Sequence, residues 1–457
     1  MQLVNIFSFI KEKYLLLILI LSVFPLYFVK ISNSYLSLCF LSAIALLPLI
    51  SFNILLILRQ HILATKEQSL KVRSWCLSDF VAALKFLYIK LLKCRPFVYL
   101  SLLFIIILSS SLWSIETKEL IKKSVWIAIA FSLFCFTYKT SLLHKKLVLK
   151  YITIYFYFLM AASTAIIIFR FCPNIDLAFL KIFISKISIN PNILHDIHQN
   201  PSTYQHPVLS SVGGFFPNPN VAGAYLGINY FIARSLYKIN NEKKYLLFCI
   251  IIATSLYATG SQVALLIWLI LNFSIFCLCK KTRFARILTW SICLFLICGS
   301  MIFLIIYNWA FGLNINRFMP SIILRMEMFD FAYSKFSSHW LLGFGFGGWK
   351  GEIASCETIY HLDAPHNTLL ALWGNSGIIA TLAGLLFIYS ILRFGYRLTG
   401  IQNMELNRLG YGVILSFLFY FIQGMSENYG LIGNERMCVI LFIFLGYVYA
   451  QEKQQCL

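Results

Sequence analysis

The stretch His366–Leu392, HNTLLALWGNSGIIATLAGLLFIYSIL, decides the fold class of this chain. Beyond its polar start it carries no charged side chain, and it exceeds the roughly 17 residues that a membrane-crossing helix needs. Lipid offers no partner to an unpaired backbone group, so such a run crosses a membrane only as a helix. Comparable runs recur at 14–29, 34–58, 97–115, 124–143, 151–172, 221–237, 245–259, 263–279, 287–311, 409–425 and 437–450. The whole chain of 457 residues is 60% hydrophobic and only 12% charged, whereas soluble domains run near a quarter charged. Its mean hydropathy is +0.79. The expectation is an all-α polytopic membrane protein, one membrane domain over 1–457, with about twelve transmembrane helices. The first run lacks a small-residue cleavage site and is followed at once by a second span, so it reads as a helix rather than a signal peptide.

The basic residues orient the bundle. Lys11, Lys13, the 59–95 segment, Lys145, Lys146, Lys150, Lys238, Lys243, Lys244, Lys280, Lys281, Arg393, Arg397, Arg408 and Lys453 fall on one side if both termini are cytoplasmic. The net charge of +21 then meets anionic membrane lipids, at about 1 kcal/mol per cation, and nucleic acid is not needed to explain it. Residues 80–96, with Lys85, Lys90, Lys93 and Arg95 among apolar neighbours, read as an amphipathic helix on that inner surface. Two loops on the outer face are long, 173–220 and 312–365, and loops of that length in a compact protein are usually functional or disordered. Of the 8 histidines, His195, His198, His206, His339, His361 and His366 lie in or at the edge of these loops.

The second loop has internal order. Pro320 suits a first helical residue, and Ile322, Ile323, Met326 and Phe329 follow at helical spacing. Arg325 on that helix presents a planar fork that matches two phosphate oxygens. Gly343, Gly345 and Gly348 match G-x-G-x-x-G, but no βαβ unit surrounds them, so they read as a tight turn that lets the backbone approach a ligand. His361-x-Asp363-x-x-His366 and His195-Asp196-x-His198 match no established metal spacing, and no metal or cofactor is expected. His366 opens a span. Pro365 would set its first turn and Asp363 would cap it, leaving unpaired N–H groups to face an anion. An imidazole there, with a pKa near 6.5, can take a proton from a sugar hydroxyl at neutral pH. Arg170 closes an earlier span, where it snorkels or helps hold pyrophosphate. Asn218 and Asn220, in Gly213-Gly214-Phe215-Phe216-Pro217-Asn218-Pro219-Asn220, form a rigid turn with Asn220 as a cap candidate.

Three pieces in order carry a resemblance. They are Gly214-Phe215-Phe216-Pro217-Asn218-Pro219-Asn220 entering a span, Arg325 followed by Leu342-Gly343-Phe344-Gly345, and His366-Asn367-Thr368-Leu369-Leu370 with Gly377-Ile378-Ile379 behind it. Together, over 213–392, they resemble the O-antigen ligase and O-antigen polymerase superfamily of bacterial membrane glycosyltransferases. The resemblance implies a twelve-helix inner-membrane protein acting on an undecaprenyl-pyrophosphate-linked glycan at the periplasmic face. A ligase of this kind transfers the glycan to lipid A–core without metal or nucleotide. The family's histidine, read as acceptor activator, falls on His366, and its loop arginine, read as pyrophosphate ligand, falls on Arg325. Asn367, Asn218, Asn220, Arg170 and Lys350 join as candidate substrate or pyrophosphate contacts. One departure stands out: where relatives place a second arginine after a Thr-Gly-Ser turn, Thr259-Gly260-Ser261 is followed by Gln262. A glutamine donates hydrogen bonds to pyrophosphate without neutralising it. Arg170, Lys350 or Arg317 then substitutes, or the donor differs. The acidic residue usual before the later glycine is also replaced, by Asn375.

The nearest rival is a polymerase, whose acceptor is another lipid-linked repeat unit. A transporter or lipid flippase without chemistry is the rival of another class. It predicts charged residues at mid-membrane depth, and the central parts of these spans carry almost none.

Overall fold

The computed structural model describes residues 27–31, 34–37, 95–114, 117–171, 219–278, 318–345, 348, 367–426 and 435–455. These are helical almost throughout: α1 (Arg95–Ser109), α2 (Thr117–Phe171), α3 (Pro219–Asn240), α4 (Lys243–Thr259) and α5 (Gln262–Leu278). They continue with α6 (Phe318–Ser338), α7 (Thr368–Thr399), α8 (Met404–Gly424) and α9 (Glu435–Gln455). The helical class is as expected among the described residues, apart from a short two-stranded antiparallel ladder, β1 (Tyr27–Ile31) with β2 (Ser34–Ser37), in which Ile31 pairs with Ser34. The ladder takes the end of one expected span and the start of the next, where Tyr27, Phe28, Val29 and Ile31 favour an extended backbone. The remainder of spans 14–29 and 34–58, all of span 287–311, the surface helix over 80–94 and the loop over 173–218 lie outside the described residues.

Two helical stretches, Lys123–Ile168 and Thr368–Thr399, are long and apolar enough to cross a membrane. Pro96–Leu112 and Gln262–Ile275 are apolar but shorter. The outward faces are greasy as well as the core: Ile105, Leu247, Ile250, Leu382, Leu386 and Tyr389 are exposed. A helix hydrophobic on all sides suits burial in protein or in lipid.

α2 is not one rod. Its helical geometry breaks at His144 (φ −139°, ψ 59°), between the two spans that Lys145, Lys146 and Lys150 separate in the sequence. The first half packs on α9, with Phe134 against Tyr449. The second half packs on α3 and α4, with Tyr155 Oη 2.7 Å from Tyr225 Oη and 2.8 Å from Asn229 Oδ1. An amide oxygen carries no proton, so Tyr155 donates to Asn229 and accepts from Tyr225. The three polar groups are thereby satisfied in a fully buried layer.

The two ends of the bundle differ. At one end Lys145 Nζ lies 2.7 Å from Glu405, Arg397 pairs with Glu452 at 2.5 Å, and Lys244 pairs with Glu242. Gln454 reaches the Ser141 and Leu142 carbonyls there, so the break at His144 sits at this basic end. α7 and α8 meet close to it through glycine, since a Cβ at Gly410 would stand 2.6 Å from the Gly395 carbonyl. Small residues of this kind bring membrane helices into backbone contact.

Candidate functional site

The opposite end gathers helix starts. α7 begins at Thr368, and its N-cap is Asn367 (φ −150°, ψ 121°), whose Oδ1 accepts from the Leu369 and Leu370 amides at 2.9 and 3.1 Å. The expectation that Asp363 and Pro365 build the helix start is therefore corrected. Asparagine is among the best N-cap residues, and it takes the role four residues after the aspartate expected to hold it. Asn367 Nδ2 also donates to the Met425 carbonyl at 3.2 Å, tying the start of α7 to the end of α8. His366 immediately precedes this cap in sequence and lies, with Asp363, Asn218 and Lys350, outside the described residues. Pro320 likewise falls third in α6 rather than first, because the helix begins at Phe318; the first turn has no partner for a proline N–H in any case.

A second corner forms at the ends of α2 and α4 and the starts of α3 and α5. Gly260, at φ 71°, reverses the chain between α4 and α5, and the Ser261 amide donates to Thr259 Oγ1 at 3.2 Å. Ser261 Oγ then donates to Asn220 Oδ1 at 2.8 Å. Asn220 is thus the second residue of α3 and a brace on the Thr259–Ser261 turn; Pro219 holds the first helical position that suits it. Gln262 opens α5 and is exposed to the outside. Arg170, half-buried near the end of α2, lies within electrostatic reach of Tyr257 on the last turn of α4. Arg170, Asn220 and Gln262 therefore share one corner.

The third part links the Arg325-bearing helix to α7. α7 is broken at Gly377 (φ 80°, ψ 178°), and the segment after α6 fills the break. Phe344 N donates to the Gly374 carbonyl at 2.7 Å, and Ile378 N donates to the Trp340 carbonyl at 2.9 Å. Trp373 Nε1 joins the same Trp340 carbonyl at 2.9 Å, and Trp113 Nε1 reaches the Leu342 carbonyl at 3.2 Å. Backbone freed inside a membrane helix is tolerated where protein re-satisfies it, and this segment does so. The glycine turn is as tight as the sequence suggests, but the backbone it approaches is that of α7. A Cβ at Gly343, which has φ 71°, would stand 2.5 Å from the Gly374 carbonyl. Arg325 lies on α6, within the segment so anchored.

Sequence reasoning missed one group. Gln423, on the last turn of α8, is 0% exposed, and neither its amide nitrogen nor its oxygen finds a hydrogen-bond partner among the described residues. Thr368 Oγ1 is in the same condition and faces Gly424, where a Cβ would stand 2.7 Å from it. The signal was a lone glutamine in the otherwise apolar 409–425 run. Compared with known proteins, the chain matches no family model and no curated protein.

Proposed function

We propose that this chain is a membrane glycosyltransferase of the O-antigen ligase type, with about twelve spans and both termini in the cytoplasm. It would move a glycan from undecaprenyl pyrophosphate to lipid A–core at the periplasmic face. The observation that carries the reading is the Asn367-capped start of α7, which follows His366 directly and lies beside the orphaned Thr368 and Gln423. Asn367 already takes the Leu369 and Leu370 amides, so what this helix start offers an anion is chiefly its partial positive charge. Arg170, Gln262 and Asn220 at the neighbouring corner supply further donors, and the exposed apolar faces of α1, α4 and α7 suit a lipid solvent.

In the reaction the acceptor hydroxyl oxygen forms a bond to the anomeric carbon. The bond from that carbon to the pyrophosphate oxygen breaks, and undecaprenyl pyrophosphate leaves with the electron pair. The hydroxyl proton passes to the His366 imidazole. Arg325 neutralises the departing pyrophosphate, where positioning and charge stabilisation do most of the catalysis. General-base assistance of this kind is worth about 10²- to 10⁴-fold.

The test uses purified full-length protein with lipid-linked glycan donor and lipid A–core acceptor. His366→Ala should lower transfer at least about a hundredfold while the protein still inserts into membranes. Full activity in that variant removes the histidine from the chemistry. Transfer to a second lipid-linked repeat unit, and none to lipid A–core, assigns the chain to the polymerases instead.

A further inference from the structure

The basic end of the bundle holds a cleft of about 240 Å³ between α3, α5 and α8. Its walls are graded. On α3, Phe231 lies deepest, Arg234 and Ser235 follow one turn on, and Lys238 stands at the mouth. On α8 the order runs from Arg408 at the mouth to Leu415 within, and Ile275 of α5 closes the apolar side. Two helices thus pass from hydrocarbon to cation in the same direction.

No described acid pairs with these cations. Among the described residues, the acids of this end are already engaged, Glu405 by Lys145, Glu452 by Arg397 and Glu242 by Lys244. No acid lines the cleft. Arg234 is steered by a 2.6 Å hydrogen bond to Asn272 Oδ1, a neutral partner, and Lys238 lies over the Tyr237 ring at 5.8 Å. The Arg408 side chain makes no hydrogen bond or ion pair among the described residues. Three cations with no acidic partner among the described residues, above an apolar floor, suit an anion with a hydrophobic tail.

We propose that this cleft binds an anionic phospholipid, its phosphate held by Arg234, Lys238 and Arg408 and an acyl chain laid along Phe231, Ile275 and Leu415. Basic pockets between membrane helices on the cytoplasmic side take such headgroups. The site is independent of the chemistry proposed for the opposite end, and needs only that the bundle sit in a bilayer.

The experiment places the full-length protein in nanodiscs of mixed phosphatidylglycerol and phosphatidylcholine and weighs the lipids it retains by native mass spectrometry. The wild type should keep phosphatidylglycerol in preference. Lys238→Gln and Arg408→Gln should each lower that preference roughly fivefold, and the triple variant with Arg234→Gln about a hundredfold. Should the triple variant unfold, Arg408→Gln alone decides. Lys243→Gln with Lys453→Gln, exposed cations at the same end but outside the cleft, should change nothing. An equal loss in that control overturns the proposal in favour of diffuse surface charge. Displacement of the lipid by millimolar inorganic phosphate overturns it in favour of a free-anion site.

Discussion

Gly377 is the residue that opens α7 to the segment after α6. Its φ of 80° is open to glycine and strained for other residues, and a Cβ there would run into the Leu341 carbonyl. Gly377→Ala should therefore destabilise the protein by at least about 2 kcal/mol, read as a lowered midpoint of thermal unfolding in detergent. Exposed Ile379→Ala, two residues on, is the control and should move it little. Single polar residues were partly legible in the sequence. Asn220 stood out as a cap candidate and Arg170 as a cation closing a span, whereas Asn367 and Gln262 entered through the resemblance. Their partners were not legible, because nothing in the spacing of Pro219-Asn220 tells that the side chain will brace Ser261 rather than cap its own helix. Gln423 was passed over for the same reason: that its neighbour Gly424 packs on Thr368 is seen only once α7 and α8 have met.

At the scale of elements, the cap on α7 has a measurable worth. Asn367→Ala removes the acceptor for two amides and the donor to Met425, and should cost about 0.5–2 kcal/mol. Asn367→Asp keeps the acceptor alone and should recover most of that loss in the same unfolding assay. Among the described residues, helices stand where the apolar runs from 97 onward were read, and the break of α2 at His144 coincides with the lysines that separate two expected spans. The break of α7 was not read, because Leu369–Leu392 is apolar without interruption except at the Gly374–Gly377 stretch. What opens the helix there is a segment from another part of the chain, and periodicity sees only local sequence. The β1–β2 ladder escaped for the opposite reason, since β-branched and aromatic residues serve a short strand and a lipid-facing helix end alike.

For the whole molecule, the separation of a basic end from an end rich in helix starts predicts its orientation. A green fluorescent protein fused after Leu457 should fluoresce, and alkaline phosphatase fused there should be inactive; the reverse pair of results would invert the bundle. The helical character of the described residues followed from composition and run length. That Ser261 meets Asn220 and Asn367 meets Met425 depends on tertiary packing and could come only from coordinates. The notch in α7 also binds distant parts of the chain into a single cooperative unit. Phe344 and Ile378 lend their amides across the same seam, each satisfying a carbonyl of the other's segment. Neither segment can open without exposing the unpaired groups of both, so in hydrogen–deuterium exchange these two amides should lose protection together, at one rate, as if they were neighbours in sequence.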